Sequence, residues 1–233
     1  MPSQSKNRIS SCLTPMRLIS AAALPLWGVS LSGTALADVV LEPDALPGVV
    51  RTVDFSSFDN QLIETNGPLD IGEGVLWEAG LEGWIGDMAF GLRNNGYWDW
   101  DQVGYVALNT SQSHMLMTFE HPVSAAGGFV NYAPLEGFGP MPTIEAVGTS
   151  GEVLERFTMD VQTPGKRNAG QFMGFVREEA DIYQLRYIAR FGVLDDLRFS
   201  EELVPAPGAG ALLGFCGLTL MARRATRRRQ SQS

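Results

Sequence analysis

The sequence has little of the chemistry that many enzymes rely on. Its only cysteines, Cys12 and Cys216, fall near the two ends of the 233-residue chain, and the long middle has none. A disulfide framework or a thiolate zinc site is therefore excluded there. The only histidines are His114 and His121, and H-E-x-x-H is absent, which argues against a histidine-held zinc centre. No G-x-S-x-G marks a nucleophile elbow, and neither a Walker A loop nor a Rossmann glycine pattern occurs. No segment sustains a 3.6-residue apolar period and no internal repeat is visible, so a helical bundle and a solenoid are set aside.

Basic residues are scarce where acids are dense. All 26 acidic residues lie in 38–202, whereas eight of the 17 basic ones lie outside it: Lys6, Arg8, Arg17, Arg223, Arg224, Arg227, Arg228 and Arg229. The middle thus carries nine basic against 26 acidic residues, a net charge of −17. Such a charge keeps a domain soluble and excludes nucleic acid as a partner. A solvated acidic surface is the plainest reading of it, and divalent cations are compatible company.

The first 37 residues read as a secretory signal. Lys6, Arg8 and Arg17 make a positive start, with Met16 an alternative initiator, and 18–31 is apolar apart from Ser20 and Ser30. Ala35-Leu36-Ala37 then forms an A-x-A cleavage site for signal peptidase, leaving Asp38 as the first mature residue. The alternative is an uncleaved membrane anchor, for which the apolar run is short.

The other end, 203–233, has three parts: Val204-Pro205-Ala206-Pro207-Gly208, an apolar stretch at 209–222, and arginines at 223–229, including Arg223 and Arg224. From Val204 the uncharged run is 19 residues, close to the roughly 20 that cross a bilayer. By the positive-inside rule the arginines stay cytoplasmic, which agrees with export of the middle domain. This tail resembles the PEP-CTERM sorting signal, with Ala206 where the commonest form of the motif has glutamate. The resemblance implies recognition by an exosortase-type membrane protease. It also implies an inner-membrane-anchored precursor with a periplasmic domain, destined for the cell surface or extracellular matrix. A permanent membrane anchor without processing is the alternative.

Between the ends, Gly (26 in the chain) and Pro (13) punctuate short apolar runs, which predicts strands rather than helices. Strands are expected at 51–55, 75–77, 87–92, 104–108, 115–119, 127–132, 143–147, 153–159, 172–176, 182–190 and 193–199. Met115, Met117 and Phe119 should share one face, and Gly148-Thr149-Ser150-Gly151 should turn a hairpin. The spacing predicts an all-β domain at 38–202, an antiparallel β-sandwich flanked by an N-terminal signal helix and a C-terminal transmembrane helix.

Three pieces resemble the jelly-roll domains common among PEP-CTERM proteins and, more loosely, carbohydrate-binding modules: Val53-Asp54-Phe55, Gly128-Phe129-Val130-Asn131-Tyr132 and Leu194-Asp195-Asp196-Leu197-Arg198-Phe199. If Leu197 and Phe199 face the core, strict alternation turns Val193 and Asp195 inward too. A core-facing carboxylate needs partners, either backbone N–H groups or a cation. Because jelly-roll modules often hold a structural calcium near their first and last strands, the resemblance makes Asp54 and Asp195 candidate calcium ligands beside the plainer hydrogen-bonded reading.

The richest loop is Asn94-Asn95-Gly96-Tyr97-Trp98-Asp99-Trp100-Asp101-Gln102. Flat rings stack on sugar faces while amides and carboxylates bond hydroxyls, so Asn95, Tyr97, Trp98 and Trp100 form a candidate site for extracellular polysaccharide. The alternative turns Trp98 and Trp100 inward to plug one end of the sandwich. Trp77 and Trp84, in a glycine-rich stretch, read as packing residues. Among 26 acids no pair stands out for glycoside hydrolysis. A non-catalytic surface or matrix protein is therefore expected, with a carbohydrate-active hydrolase as the competing class.

Overall fold

A computed structural model describes residues 38–99, 104–134 and 141–202. The expected signal helix, the sorting motif Val204, Pro205, Ala206, Pro207 and Gly208, the apolar tail, Arg223 and Arg224 lie outside the described residues. Within them no helix is long and apolar enough to cross a membrane.

The described residues form antiparallel β-sheets, joined by three-residue 3-10 turns. The first sheet runs β1 (Asp38–Val40), β14 (Gln171–Val176), β11 (Ala125–Asn131), β16 (Val193–Ser200), β9 (Tyr105–Leu108), β6 (Gly83–Gly86) and β3 (Leu62–Glu64). β2 (Arg51–Val53) pairs the second half of β16, where β9 has ended. The second sheet runs β13 (Val153–Thr158), β12 (Thr143–Val147), β15 (Ile182–Ala189), β10 (Ser113–Val123), β5 (Val75–Ala79) and β4 (Leu69–Asp70). A two-stranded ribbon, β7 (Phe90–Gly91) and β8 (Tyr97–Trp98), stands apart.

Period-two patterning builds the shared core. Along β10 Ser113, Met115, Met117 and Phe119 are buried while His114, Leu116 and Thr118 are half-buried on the other face. Met115, Met117, Trp77, Leu185 and Tyr187 of the second sheet meet Ile85, Val106, Leu194, Leu197 and Phe199 of the first in one cluster. The turn at Gly148–Gly151 closes the β12–β13 hairpin, with Gly148 N–H donating to Glu152 O at 2.9 Å. The expected strand at 87–92 is paired only at Phe90–Gly91. The short strands β1, β3, β4 and β6 lie outside the stretches where strands are expected from the sequence.

The alternation expected along 193–199 is broken. Gly127 pairs Arg198 but Phe129 pairs Asp195, so Gly128 opposes two residues, and Asp196 has φ +44°. This is a β-bulge, which shifts the parity of the strand by one. Leu197 and Phe199 face the core with Leu194, but Val193 packs in a separate cluster on the outer face of the first sheet. Asp195 shares the parity of Val193, so both turn to the outer face, where strict alternation from Leu197 and Phe199 turns them toward the core.

The register also places the domain's two ends. Asp38 pairs Val176, Val176 pairs Ala125, and Ala125 pairs Ser200, so all four lie in one row. At about 4.8 Å per strand, entry and exit are roughly 14 Å apart at the same end of the first sheet. Val193 marks the opposite end, beside Asn131 and Ala107.

Candidate functional site

At that opposite end, the segment after β6 folds over the outer face of the first sheet. Met88, Phe90, Leu92 and Trp98 bury against Tyr105, Ala107 and Val193. Trp98 is 1 % exposed, its ring 5.9 Å from that of Tyr105, whose hydroxyl donates to Met88 O at 2.6 Å. Burial, and then the nearby carboxylates Asp99, Asp195 and Asp87, raise the Tyr105 pKa well above its ordinary value.

Asn95 is the fastener of this segment. Its side-chain amide donates to Asn131 Oδ1, Tyr132 O and Val161 O at 2.9–3.1 Å, and Oδ1 accepts from Thr163 N–H. Asn131 continues the network by donating to Thr163 Oγ1 at 2.8 Å and Ala169 O at 2.6 Å. Gly96 is required beside it: with φ +88°, a Cβ there would lie 1.8 Å from Lys166 O. Asp99 is held by Arg167 Nε at 2.6 Å and by Asn168 Nδ2 at 3.2 Å.

These contacts correct the sugar-binding set expected from the sequence. Asn95 is 3 % exposed and its polar atoms are engaged internally, so it offers a ligand nothing. Trp98 is a plug rather than a platform. Tyr97 remains 46 % exposed, and Trp100 lies outside the described residues. Asp54 is exposed, its Oδ1 accepting from Ser56 N–H at 3.0 Å; that bond, then the Ser56 hydroxyl, hold its carboxyl below the ordinary value. Asp195 is buried, and its Oδ1 accepts from Asp196 N–H at 2.7 Å. Among the described residues no group of three or more His, Cys, Asp or Glu is placed to hold a metal.

A different set of residues comes together beside the plug. Trp84, Phe90, Phe191, Arg93 and Asn109, with Ala89, Gly91 and Ala133, line an open groove of about 320 Å³. Trp84 and Phe90 pack edge to face, with centroids 6.0 Å apart and planes at 81°. Trp84 and Phe191 are half-buried, leaving part of each ring to solvent. Asn109 is positioned by its backbone N–H, which donates to Glu82 O at 2.9 Å. Among the described residues that line the groove there is neither a carboxylate nor a histidine.

The sequence signal for this groove was weak. Trp84 follows Gly83, Phe191 precedes Gly192, and Arg93 and Asn109 sit on turns far apart in the chain. His114 lines a separate, larger depression on the second sheet, of about 580 Å³, with Leu116, Arg186 and Ile188. Compared with protein-family models, curated proteins and solved structures, the chain matches none.

Proposed function

We propose that this chain is an exported surface or extracellular-matrix protein whose jelly-roll-like β-sandwich binds polysaccharide without catalysing its turnover. Residues 1–37 direct export through signal peptidase, and 203–233 act as a PEP-CTERM-like sorting tail processed by an exosortase-type protease. The observation that carries the binding reading is the aromatic groove at Trp84, Phe90 and Phe191, with Arg93 and Asn109 beside it. Rings supply an apolar platform for a sugar face, and the two polar side chains can bond ring hydroxyls. Among the described residues the lining offers no pair of carboxylates of the kind glycoside hydrolysis uses. The groove also lies at the end of the first sheet opposite Asp38 and Ser200. A domain tethered through its ends would therefore present the groove away from the membrane.

Affinity electrophoresis of the full chain through gels containing soluble polysaccharides tests the binding reading. Trp84→Ala should weaken retention about tenfold, near 1.4 kcal/mol, the scale of one lost stacking contact. Retention by none of the polymers, or full retention in a folded Trp84→Ala variant, would end it. The sorting reading has its own test in the native host. Mass spectrometry should find the tail removed when the processing protease is present and retained when it is deleted. An intact tail in both strains would make the segment a plain anchor.

A further inference from the structure

We infer that the groove takes an acidic sugar, with the carboxylate of a uronate unit on Arg93 and the sugar ring against Trp84. The inference rests on the polysaccharide-binding reading of the same groove and goes beyond it by fixing the charge of the ligand.

The first ground is the company Arg93 does not keep. Carboxylates outnumber basic residues 26 to nine in 38–202, and other arginines find them readily. Arg51 reaches Glu73 and Glu201, Arg156 and Arg186 share Glu145, Arg167 holds Asp99, Arg177 holds Asp181 and Glu155, and Arg198 lies by Asp196. Even Arg156, with a 61 % exposed side chain, is paired. Arg93 is exposed and lines the groove, and its guanidinium makes no hydrogen bond or ion pair with a described residue. A guanidinium left open in so acidic a domain is complementary to an anion that arrives from outside. Its planar fork matches a carboxylate with two parallel hydrogen bonds.

The second ground is backbone strain held at the same place. Arg93 has φ +53° and Phe191 has φ +43°, a left-handed conformation that side chains other than Gly, Asn and Asp seldom adopt. Phe55 and Glu73 adopt it away from the groove as well, so at Arg93 and Phe191 it shows that the surrounding structure fixes both groove-lining positions. The Asn109 side-chain amide, also without a hydrogen bond to a described residue, is left to serve a sugar hydroxyl.

The domain's net negative charge does not prevent this. At physiological salt the screening length is about 8 Å, so distant carboxylates are damped and the field inside the groove is set by the groups that line it. No acid is among the described residues that line it.

The test uses the full chain with polygalacturonate, its methyl ester, dextran and dextran sulfate as probes. Polygalacturonate should retain the wild type about tenfold more strongly than its methyl ester, with the difference shrinking as salt rises. Arg93→Gln should remove that preference, so that acid and ester are retained alike, while Arg93→Lys should restore only part of it. Arg93→Gly should bind as weakly as Arg93→Gln while melting no lower than wild type, because glycine accepts the left-handed backbone. Equal retention by acid and ester, an unaffected Arg93→Gln variant, or a preference for dextran sulfate would overturn the inference. Trp84-dependent retention on dextran and the methyl ester alone would leave the polysaccharide reading standing and remove the acidic one. No retention on any polymer would remove both.

Discussion

Replacing Asn131 by alanine should lower the melting temperature of the domain by roughly 10 °C. Asn131 is fully buried and stands where three segments meet. Its amide nitrogen donates to Thr163 Oγ1 and Ala169 O, and its Oδ1 accepts from Asn95 Nδ2 and Tyr132 N–H. Alanine leaves the Ala169 carbonyl and the Tyr132 N–H without these partners, at about 1–3 kcal/mol for each buried group left unsatisfied. The expected loss of about 3 kcal/mol converts to roughly 10 °C in a domain of this size. Asn131→Asp tests the cause, because it keeps the volume and turns a donor into an acceptor facing two acceptors. It should melt at least as low as the alanine variant. If both variants melt within about 2 °C of wild type, the network contributes nothing to stability. The groove should suffer as well, since Asn95 is two residues from Arg93 and Ala133 is two residues from Asn131.

Raising the pH above about 10 should unfold the domain in one steep step. Tyr105 and Tyr187 are fully buried and Tyr132 nearly so, and burial raises the pKa of each above 10.0. Tyr105 and Tyr187 donate their hydroxyl protons to carbonyls, to Met88 O at 2.6 Å and Asn131 O at 2.7 Å. Ionisation would set an anion against each carbonyl. In the unfolded chain these tyrosines release their protons near pH 10, whereas in the folded chain they keep them. Below pH 10 both states are neutral and the stability is fully present. Above it each tyrosine removes about 1.4 kcal/mol per pH unit until its folded pKa is reached. Three such groups together remove roughly 4 kcal/mol per unit, enough to exhaust a typical stability of about 5–15 kcal/mol within a few units. Tyrosinate absorbance from these groups should appear only as the near-ultraviolet circular dichroism collapses. Tyr187→Phe should move the midpoint to higher pH. Full ionisation of all tyrosines with the dichroism intact would contradict this account.

Much of the fold was legible because it follows from local alternation. Met115, Met117 and Phe119 do share a buried face, and the hairpin across Gly148–Gly151 forms where the turn residues predict it. Of the three pieces likened to jelly-roll domains, Gly128–Asn131 lies in β11 and Leu194–Phe199 in β16, which pair, whereas only Val53 of Val53-Asp54-Phe55 lies in a strand, β2, beside β16. The shortest strands were not legible. Gly83-Trp84-Ile85-Gly86 is bounded by glycines, and Leu62-Ile63-Glu64 has three residues, so each is a strand only because a partner lies beside it. The candidate site was less legible still. Trp98 and Asn95 carry the right side chains for sugar binding, but the network through Asn131 and Thr163 draws that turn inward. The groove that formed instead joins Trp84, Arg93, Asn109 and Phe191, which no local pattern connects.

The sequence by itself determined the acidic β-rich middle, its freedom from cysteine, and most of its longer strands, because composition and period-two patterning act over a few neighbouring residues. Tertiary structure alone decided which face each strand presents. Alternation sets only relative orientation, and one bulged residue, Asp196, reverses it for Asp195. The same limit explains Trp98 and Trp84. Which of the two tryptophans plugs the end of the sheet and which lines the groove depends on segments such as Asn131 and Phe191, brought alongside only when the sheets pair.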